Sequence, residues 1–139
     1  MVHITTSFGP FVFHKDRILL NKLHHVENSE VLSMLMYGEG FTDKSIAYLL
    51  DQGNVVGYAY VEHFCATQYR IAYGTFGIFL HPEYRNKRFS YQLIEALRDV
   101  IHHHKLFGQP LEVGYKALSL VRRVFGDDYP IKEILGSPE

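Results

Sequence analysis

The chain has 139 residues, of which 47% are hydrophobic and 21% are charged, so its length and composition predict one globular domain over residues 1–139 and exclude a disordered chain. The formal net charge of -1 gives no general attraction to nucleic acid or to anionic membranes, and any basic site must therefore be local. Cys65 is the only cysteine, which excludes an intramolecular disulfide and a cysteine-rich zinc site.

The first half of the chain is predicted to contain a strand, two helices and a β-hairpin. The strand covers residues 8–13, and apolar residues at helical spacing over 15–37 predict two helices with a break at 27–30. Two strand-like runs, 45–50 and 55–64, flank an Asp-Gln-Gly-Asn sequence. These residue types favour a tight reversal of the chain, so the two runs are predicted to form a hairpin.

The second half is predicted to alternate between strands and helices. A long strand, rich in aromatic and β-branched residues, covers 71–80 and ends before Pro82. The remaining elements are, in order, a helix at 90–104 with a clear apolar stripe, a short strand at 110–115, a helix at 116–126 ended by Gly126, and a last strand within 127–134. We therefore predict an α/β fold with a mixed sheet that is antiparallel first and parallel later.

The turn between the long strand and the clearest helix is basic. It contains Arg85, Lys87 and Arg88, at a place where the helix N-terminus already carries a positive partial charge and unpaired N–H groups. Three cations in such a turn favour an anionic ligand. A solvated turn without a ligand is the alternative, because short basic turns are common on protein surfaces.

The order of these elements, with the run GIFLHPEYR followed by RNKRFS, resembles the GNAT family of N-acetyltransferases. The resemblance covers residues 45–126 and places RNKRFS, residues 85–90, at the family's Arg/Gln-x-x-Gly-x-Gly/Ala loop. It implies a sheet whose parallel strands splay around an acyl-CoA cleft and are flanked by helices. The chain departs from the family's pattern in two places: Arg88 and Ser90 occupy the glycine positions of the loop, and Arg122 occupies the position of a tyrosine that protonates the leaving thiolate.

The resemblance also implies acetyl-CoA as the cosubstrate. The residues that it assigns to acetyl-CoA are, on the strand for the pantetheine arm, Ile78, Phe79 and Leu80 and, for the pyrophosphate, Arg85, Asn86, Lys87, Arg88, Phe89, Ser90 and Tyr91. Ser90 is small enough for the loop and can cap the helix through its hydroxyl. Arg88 can either bind a phosphate through two hydrogen bonds or close the pocket with its bulk.

A general base has to take a proton from the acceptor amine in this chemistry. Glu112 is the first candidate, because some members of the family keep a catalytic glutamate in the corresponding strand. Glu62 and His63, at the end of the hairpin's second strand, are the next candidates. For all three residues, a solvated position on a strand is the alternative interpretation.

Two classes of function follow from these patterns. The first is an acetyl-CoA-dependent N-acyltransferase that moves an acetyl group to a primary amine by direct transfer. The second is a catalytically inactive binding or assembly module with the GNAT fold, such as an accessory protein of a tailed phage, and Arg88 and Arg122 favour this second class. The acceptor, a small molecule or a protein amino group, and the oligomeric state both stay open, and a homodimer is allowed.

The sequence also gives expectations about metal ions, membranes, nucleic acid and cellular location. Adjacent histidines at 24–25 and 102–104 cannot all face one ion on a helix, so we expect no metal site. The N-terminal sequence has no secretory pattern, and no apolar run reaches the length of a membrane span. We therefore expect a cytoplasmic protein without a membrane partner and without extensive nucleic-acid contacts.

Overall fold

The computed structural model describes residues 2–9, 42–106 and 109–134, and these residues form six strands and two helices. The strands are β1 (Val2–Gly9), β2 (Asp43–Asp51), β3 (Asn54–Phe64), β4 (Tyr73–Leu80), β5 (Leu111–Gly114) and β6 (Ile131–Ile134). The helices are α1 (Phe89–His103) and α2 (Tyr115–Phe125), and a short 3₁₀ turn (Pro82–Tyr84) follows β4. The helices predicted over 15–37 lie outside the described residues.

The first strand begins earlier than the sequence predicted. We expected it at 8–13, whereas β1 spans Val2–Gly9 and runs antiparallel to β2, with Ile4 opposite Leu49. The predicted start was wrong because the β-branched residues between Val2 and Thr6 already favour a strand. Gly9, which was predicted to interrupt the strand, is its last residue. The rest of the predicted range lies outside the described residues.

All six strands join one sheet in the order β1-β2-β3-β4-β5-β6. The pairs from β1 to β4 are antiparallel, and β5 is parallel to both β4 and β6. The β2–β3 hairpin turns at Gln52 and Gly53, whose φ angles of 52° and 81° lie in the left-handed region that glycine favours. The predicted hairpin and the predicted change from antiparallel to parallel pairing are both confirmed.

Both described helices pack on the same side of the sheet, which we call the helix face. Their buried side chains are Leu93, Ile94, Leu97 and Ile101 of α1 with Val121 and Val124 of α2. These meet the strand residues Ala47, Leu49, Ala59, Val61, Leu80, Leu111 and Val113 in one hydrophobic cluster. Because side chains alternate along a strand, the intervening residues point to the other side, which we call the opposite face. Neither described helix is long and apolar enough to cross a membrane.

Candidate active site

β4 and β5 run side by side over only two residue pairs. Gly74 lies opposite Leu111 and Thr75 lies opposite Glu112, and these are the pairs that join the two strands in the described part of the chain. β4 nevertheless continues to Leu80. The two parallel strands therefore separate toward their C-terminal ends and leave a cleft between them, as the family resemblance implies.

Alternate residues of β4 turn their backbone N–H and C=O groups toward this cleft. The His81 N–H donates to the carbonyl of Val56 on β3 at 2.8 Å. The Gly74 N–H instead donates at 2.9 Å to the carbonyl of Pro110, the residue just before β5. Since these directions alternate along an antiparallel strand, the backbone groups of Ile78 and Leu80 face the cleft. Those of Phe79 face β3, so the three strand residues assigned to the cosubstrate do not present equivalent groups.

The loop between β4 and α1 has an unusual backbone. Asn86 and Arg88 adopt φ angles of 63° and 68°, in the left-handed region that costs a residue with a side chain about 1–2 kcal/mol. Arg88 thus takes the conformation that glycine reaches without strain. The Arg85 Nε donates to the Leu80 carbonyl at 2.8 Å and ties the loop to the strand, whereas the side chains of Lys87 and Arg88 are exposed.

Arg88 is the N-cap residue of α1, and in the described part of the chain its side chain makes no capping hydrogen bond. The Gln92 N–H donates to the Arg88 carbonyl at 3.2 Å, so the N–H groups of Phe89, Ser90 and Tyr91 precede the intrahelical hydrogen bonds. The expectation that Ser90 caps the helix is wrong, because Ser90 lies inside the first turn. The start of α1 offers N–H donors and positive partial charge to an anion.

Glu112 forms an ion pair with Arg70. Its side chain is 14% exposed, and its Oε2 accepts a hydrogen bond from Nη2 of Arg70, which lies in the loop before β4. The Arg70 guanidinium also lies 3.5 Å from the centroid of the Tyr73 ring, a cation–π contact. The carboxylate of Glu112, the first candidate base, is therefore paired with Arg70 in this structure.

Glu62 and Glu112 lie on the same face of the sheet, with β4 between them. Glu62 is buried, accepts a hydrogen bond from Thr42 Oγ1 at 2.7 Å, and lies opposite Thr75. Because Glu112 is the neighbour of Thr75 on β5, the two glutamates belong to one row across the opposite face. They are separated by two strand spacings, roughly 10 Å.

His63 lies on the helix face and is not brought together with the two glutamates. Its Nε2 is 2.7 Å from Ser45 Oγ, and its ring centroid is 6.3 Å from that of Phe8. Burial, and to a lesser extent the charge of His104, lowers the pKa of His63 from 6.5 to about 4. The ring is therefore neutral at physiological pH and forms part of the buried end of the sheet.

Tyr60 belongs to the site, although the sequence analysis did not single it out. It lies opposite Gly77 of β4, and a Cβ at Gly77 would overlap with Cε1, Cζ and the hydroxyl oxygen of Tyr60. The phenol ring therefore lies across β4, over Gly77 and on the opposite face. The glycine within this aromatic strand was a signal of close approach, but only the register identifies Tyr60 as the partner.

Solved structures that match this fold include several N-acetyltransferases. Glucosamine-6-phosphate N-acetyltransferase from Arabidopsis thaliana matches 100% of this chain and 98% of its own, with a TM-score of 0.57 and 13% identity. Ribosomal-protein-alanine N-acetyltransferase from Brucella melitensis biovar Abortus 2308 matches 93% and 95%, with a TM-score of 0.52 and 16% identity. AAC(6')-Iy, in complex with the bisubstrate analogue CoA-S-monomethyl-acetylneamine, matches 99% of both chains, with a TM-score of 0.55 and 14% identity.

The similarity to these proteins lies in the fold rather than in the sequence. No protein-family model matches the chain, and no curated protein matches it. The structural matches nevertheless extend over nearly the whole length of both chains. The chain therefore has the fold of the GNAT N-acetyltransferases.

Proposed function

We propose that the protein is an acetyl-CoA-dependent N-acyltransferase that moves an acetyl group to a primary amine by direct transfer. The observation that carries this proposal is the cleft between β4 and β5, which lies at the end of β4 that leads through the basic loop into the N-terminus of α1. A solved structure of the same fold holds a CoA bisubstrate analogue, which supports an acyl-CoA as the occupant.

Acetyl-CoA would use two parts of the cleft. The N–H groups at the start of α1, with the side chains of Lys87 and Arg88, would bind the pyrophosphate. The N–H and C=O groups of Ile78 and the N–H group of Leu80 would bind the amides of the pantetheine arm, whereas the Leu80 carbonyl already accepts a hydrogen bond from Arg85. The Arg88 guanidinium also lies 5.6 Å from the centroid of the Tyr91 ring, which keeps the cation beside the helix start.

The acceptor amine would attack from the opposite face, where Glu62 and Glu112 lie. The amine nitrogen forms a bond to the thioester carbonyl carbon, the carbon–sulfur bond breaks, and the amine proton passes to a carboxylate directly or through water. Glu112 is our first candidate for this base and Glu62 is the second. His63 has no part in the proposed reaction, because it is buried on the helix face.

Calorimetric titration with acetyl-CoA tests the binding half of the proposal. The wild type should bind, and Arg88→Ala should weaken binding about tenfold to a hundredfold, because a charge-assisted contact contributes about 1.5–3 kcal/mol. Added salt should weaken the wild type more than this variant. Arg123→Ala, which removes an exposed arginine near the far end of α2, is the matched control and should bind normally. No heat of binding with the wild type would contradict the proposal.

A binding or assembly module without turnover is the second candidate function. It is favoured by Arg122, which is exposed on α2 at the place where the family has its tyrosine acid. Release of free thiol from acetyl-CoA, followed with a thiol-reactive dye across a panel of primary amines, separates the two candidates. Binding without thiol release for any amine would favour the module.

A further inference from the structure

The position of Tyr60 brings a phenol to the end of the cleft where the two strands begin to separate. The last ladder pair joins Thr75 to Glu112, and Gly77 is the second residue of β4 beyond it. The Tyr60 ring lies over Gly77, so its hydroxyl lies beside the strand segment whose edge is open to a ligand. Tyr60 is 7% exposed, which keeps this hydroxyl largely away from bulk water.

Among the residues that the structure describes, Tyr115 and Tyr129 are less well placed than Tyr60 to reach the cleft. Tyr115 begins α2 but is 56% exposed, and Tyr129 lies against Phe125, with 4.9 Å between the ring centroids. Arg122 cannot supply a proton, because a guanidinium stays charged in proteins. The described residues therefore point to the phenol that crosses β4.

We propose that Tyr60 is the general acid of the transfer and protonates the thiolate that leaves from acetyl-CoA. This inference rests on the proposed function. As the amine nitrogen bonds to the carbonyl carbon, the carbon–sulfur bond breaks and its electron pair moves to sulfur. The Tyr60 O–H gives its proton to that sulfur, and the phenolate then recovers a proton that originated on the amine, through the carboxylate base or solvent. The net products are an amide and a free thiol.

The chemistry of a phenol suits this role. An ordinary phenol has a pKa of about 10, so it is protonated at neutral pH. The pKa of an ordinary thiol, about 8.5, is close enough for the phenol to share its proton with sulfur as the carbon–sulfur bond breaks, and return of a proton from the base completes the transfer. The two glutamates on the same face are the candidate bases for the amine proton. Tyr60 and the glutamates thus divide the acid and base roles between them.

Gly77 explains how the ring reaches this position. Any larger residue at 77 would place its Cβ inside the Tyr60 ring, and the ring would have to leave β4. Tyr58, two residues earlier on the same face, lies opposite Phe79 and has no such opening. The two tyrosines are therefore a matched pair that differs in access to the cleft.

The test compares Tyr60→Phe with Tyr58→Phe by thiol release under saturating amine. Tyr60→Phe should lower kcat about a hundredfold or more and leave acetyl-CoA affinity within about twofold. The wild type should lose rate at alkaline pH as the phenol ionises, and Tyr60→Phe should not show this loss. Tyr58→Phe removes a buried hydroxyl from the same strand and should keep the wild-type kcat and pH profile. Gly77→Ala should lower kcat as well, and adding Tyr60→Phe to it should cause little further loss.

The outcomes separate this role from the proposed function. Full activity in Tyr60→Phe, or a loss of activity that comes with weaker acetyl-CoA binding and an unchanged alkaline limb, would overturn the acid role alone. A wild type that binds acetyl-CoA but releases no thiol with any amine would overturn both the transferase proposal and the role of Tyr60.

Discussion

At the scale of single residues, Arg88 holds a backbone conformation that its side chain disfavours. Its φ of 68° is strained for arginine and for alanine but not for glycine. We predict that Arg88→Gly raises the free energy of unfolding by about 0.5–1 kcal/mol, since the relief of strain exceeds the extra entropy of glycine in the unfolded chain. Arg88→Ala keeps the strain and is the control. Urea denaturation measures both variants, and an equal effect of the two substitutions would contradict a strained backbone.

His63 gives the fold a dependence on pH. Its folded-state pKa is lowered to about 4 from 6.5, so the unfolded chain binds the proton more tightly in that window. Stability therefore falls as the pH falls through it, and is highest above it. We predict that this histidine alone removes about 2 kcal/mol from the free energy of unfolding between about pH 7.5 and about pH 5.

The matched variant for this effect is His63→Gln, which keeps a hydrogen-bonding group beside Ser45. Its free energy of unfolding should change less between the two pH values than that of the wild type. Chemical denaturation at each pH gives the difference. Parallel pH profiles for the two proteins would mean that His63 protonates equally well in the folded and unfolded states.

Glu112 can be tested through the pH dependence of the reaction. We predict that Glu112→Gln lowers the rate more at neutral pH than at high pH, because the deprotonated amine is scarce at neutral pH and a base matters more there. Initial rates of thiol release across the pH range measure the effect. Glu133→Gln, which changes an exposed glutamate on β6, serves as the control. An unchanged pH–rate profile would remove Glu112 from the mechanism and favour Glu62.

At the scale of the elements, the open edge of β4 should be visible in amide hydrogen exchange. We predict fast exchange at Ile78 and Leu80 in the free protein, because their N–H groups face the cleft, and slow exchange at Gly77 and Phe79, whose N–H groups face β3. Saturating acetyl-CoA should slow Ile78 and Leu80 about tenfold or more and leave the other two unchanged. Equal protection along the strand before addition of acetyl-CoA would show that the cleft is closed in solution.

The elements were predictable where their signals are local. The β2–β3 hairpin follows from turn residues between two apolar runs, and the end of α2 follows from Gly126, whose φ of 96° suits glycine. The start of β1 was missed because a glycine at a strand end and a glycine inside a strand look alike in sequence. The N-cap of α1 was missed because Arg88 is a poor capping residue by type and occupies the position only through its left-handed backbone.

At the scale of the whole molecule, the site depends on the register between neighbouring strands, and no single segment of the sequence determines that register. The pairing of Tyr60 with Gly77 joins residues of neighbouring strands, and the ion pair of Arg70 with Glu112 joins residues that are 42 positions apart. Sequence alternation predicts that Glu62 and His63 point to opposite faces. It does not say which face carries the helices, so the sequence alone does not separate these two candidate bases.

The short ladder between β4 and β5 also has a mechanical consequence. Four antiparallel strands lie on one side of it and the β5–β6 pair lies on the other, and in the described sheet only the pairs at Gly74 and Thr75 connect the two sides. Few backbone hydrogen bonds hold the sheet together along this junction, so packing against the helices holds most of it. The hydrophobic cluster spans this line, because it joins α1 to Leu111 and Val113 of β5, and it therefore resists opening of the cleft. A molecule that bonded to both strands would stiffen the sheet as the missing part of its ladder.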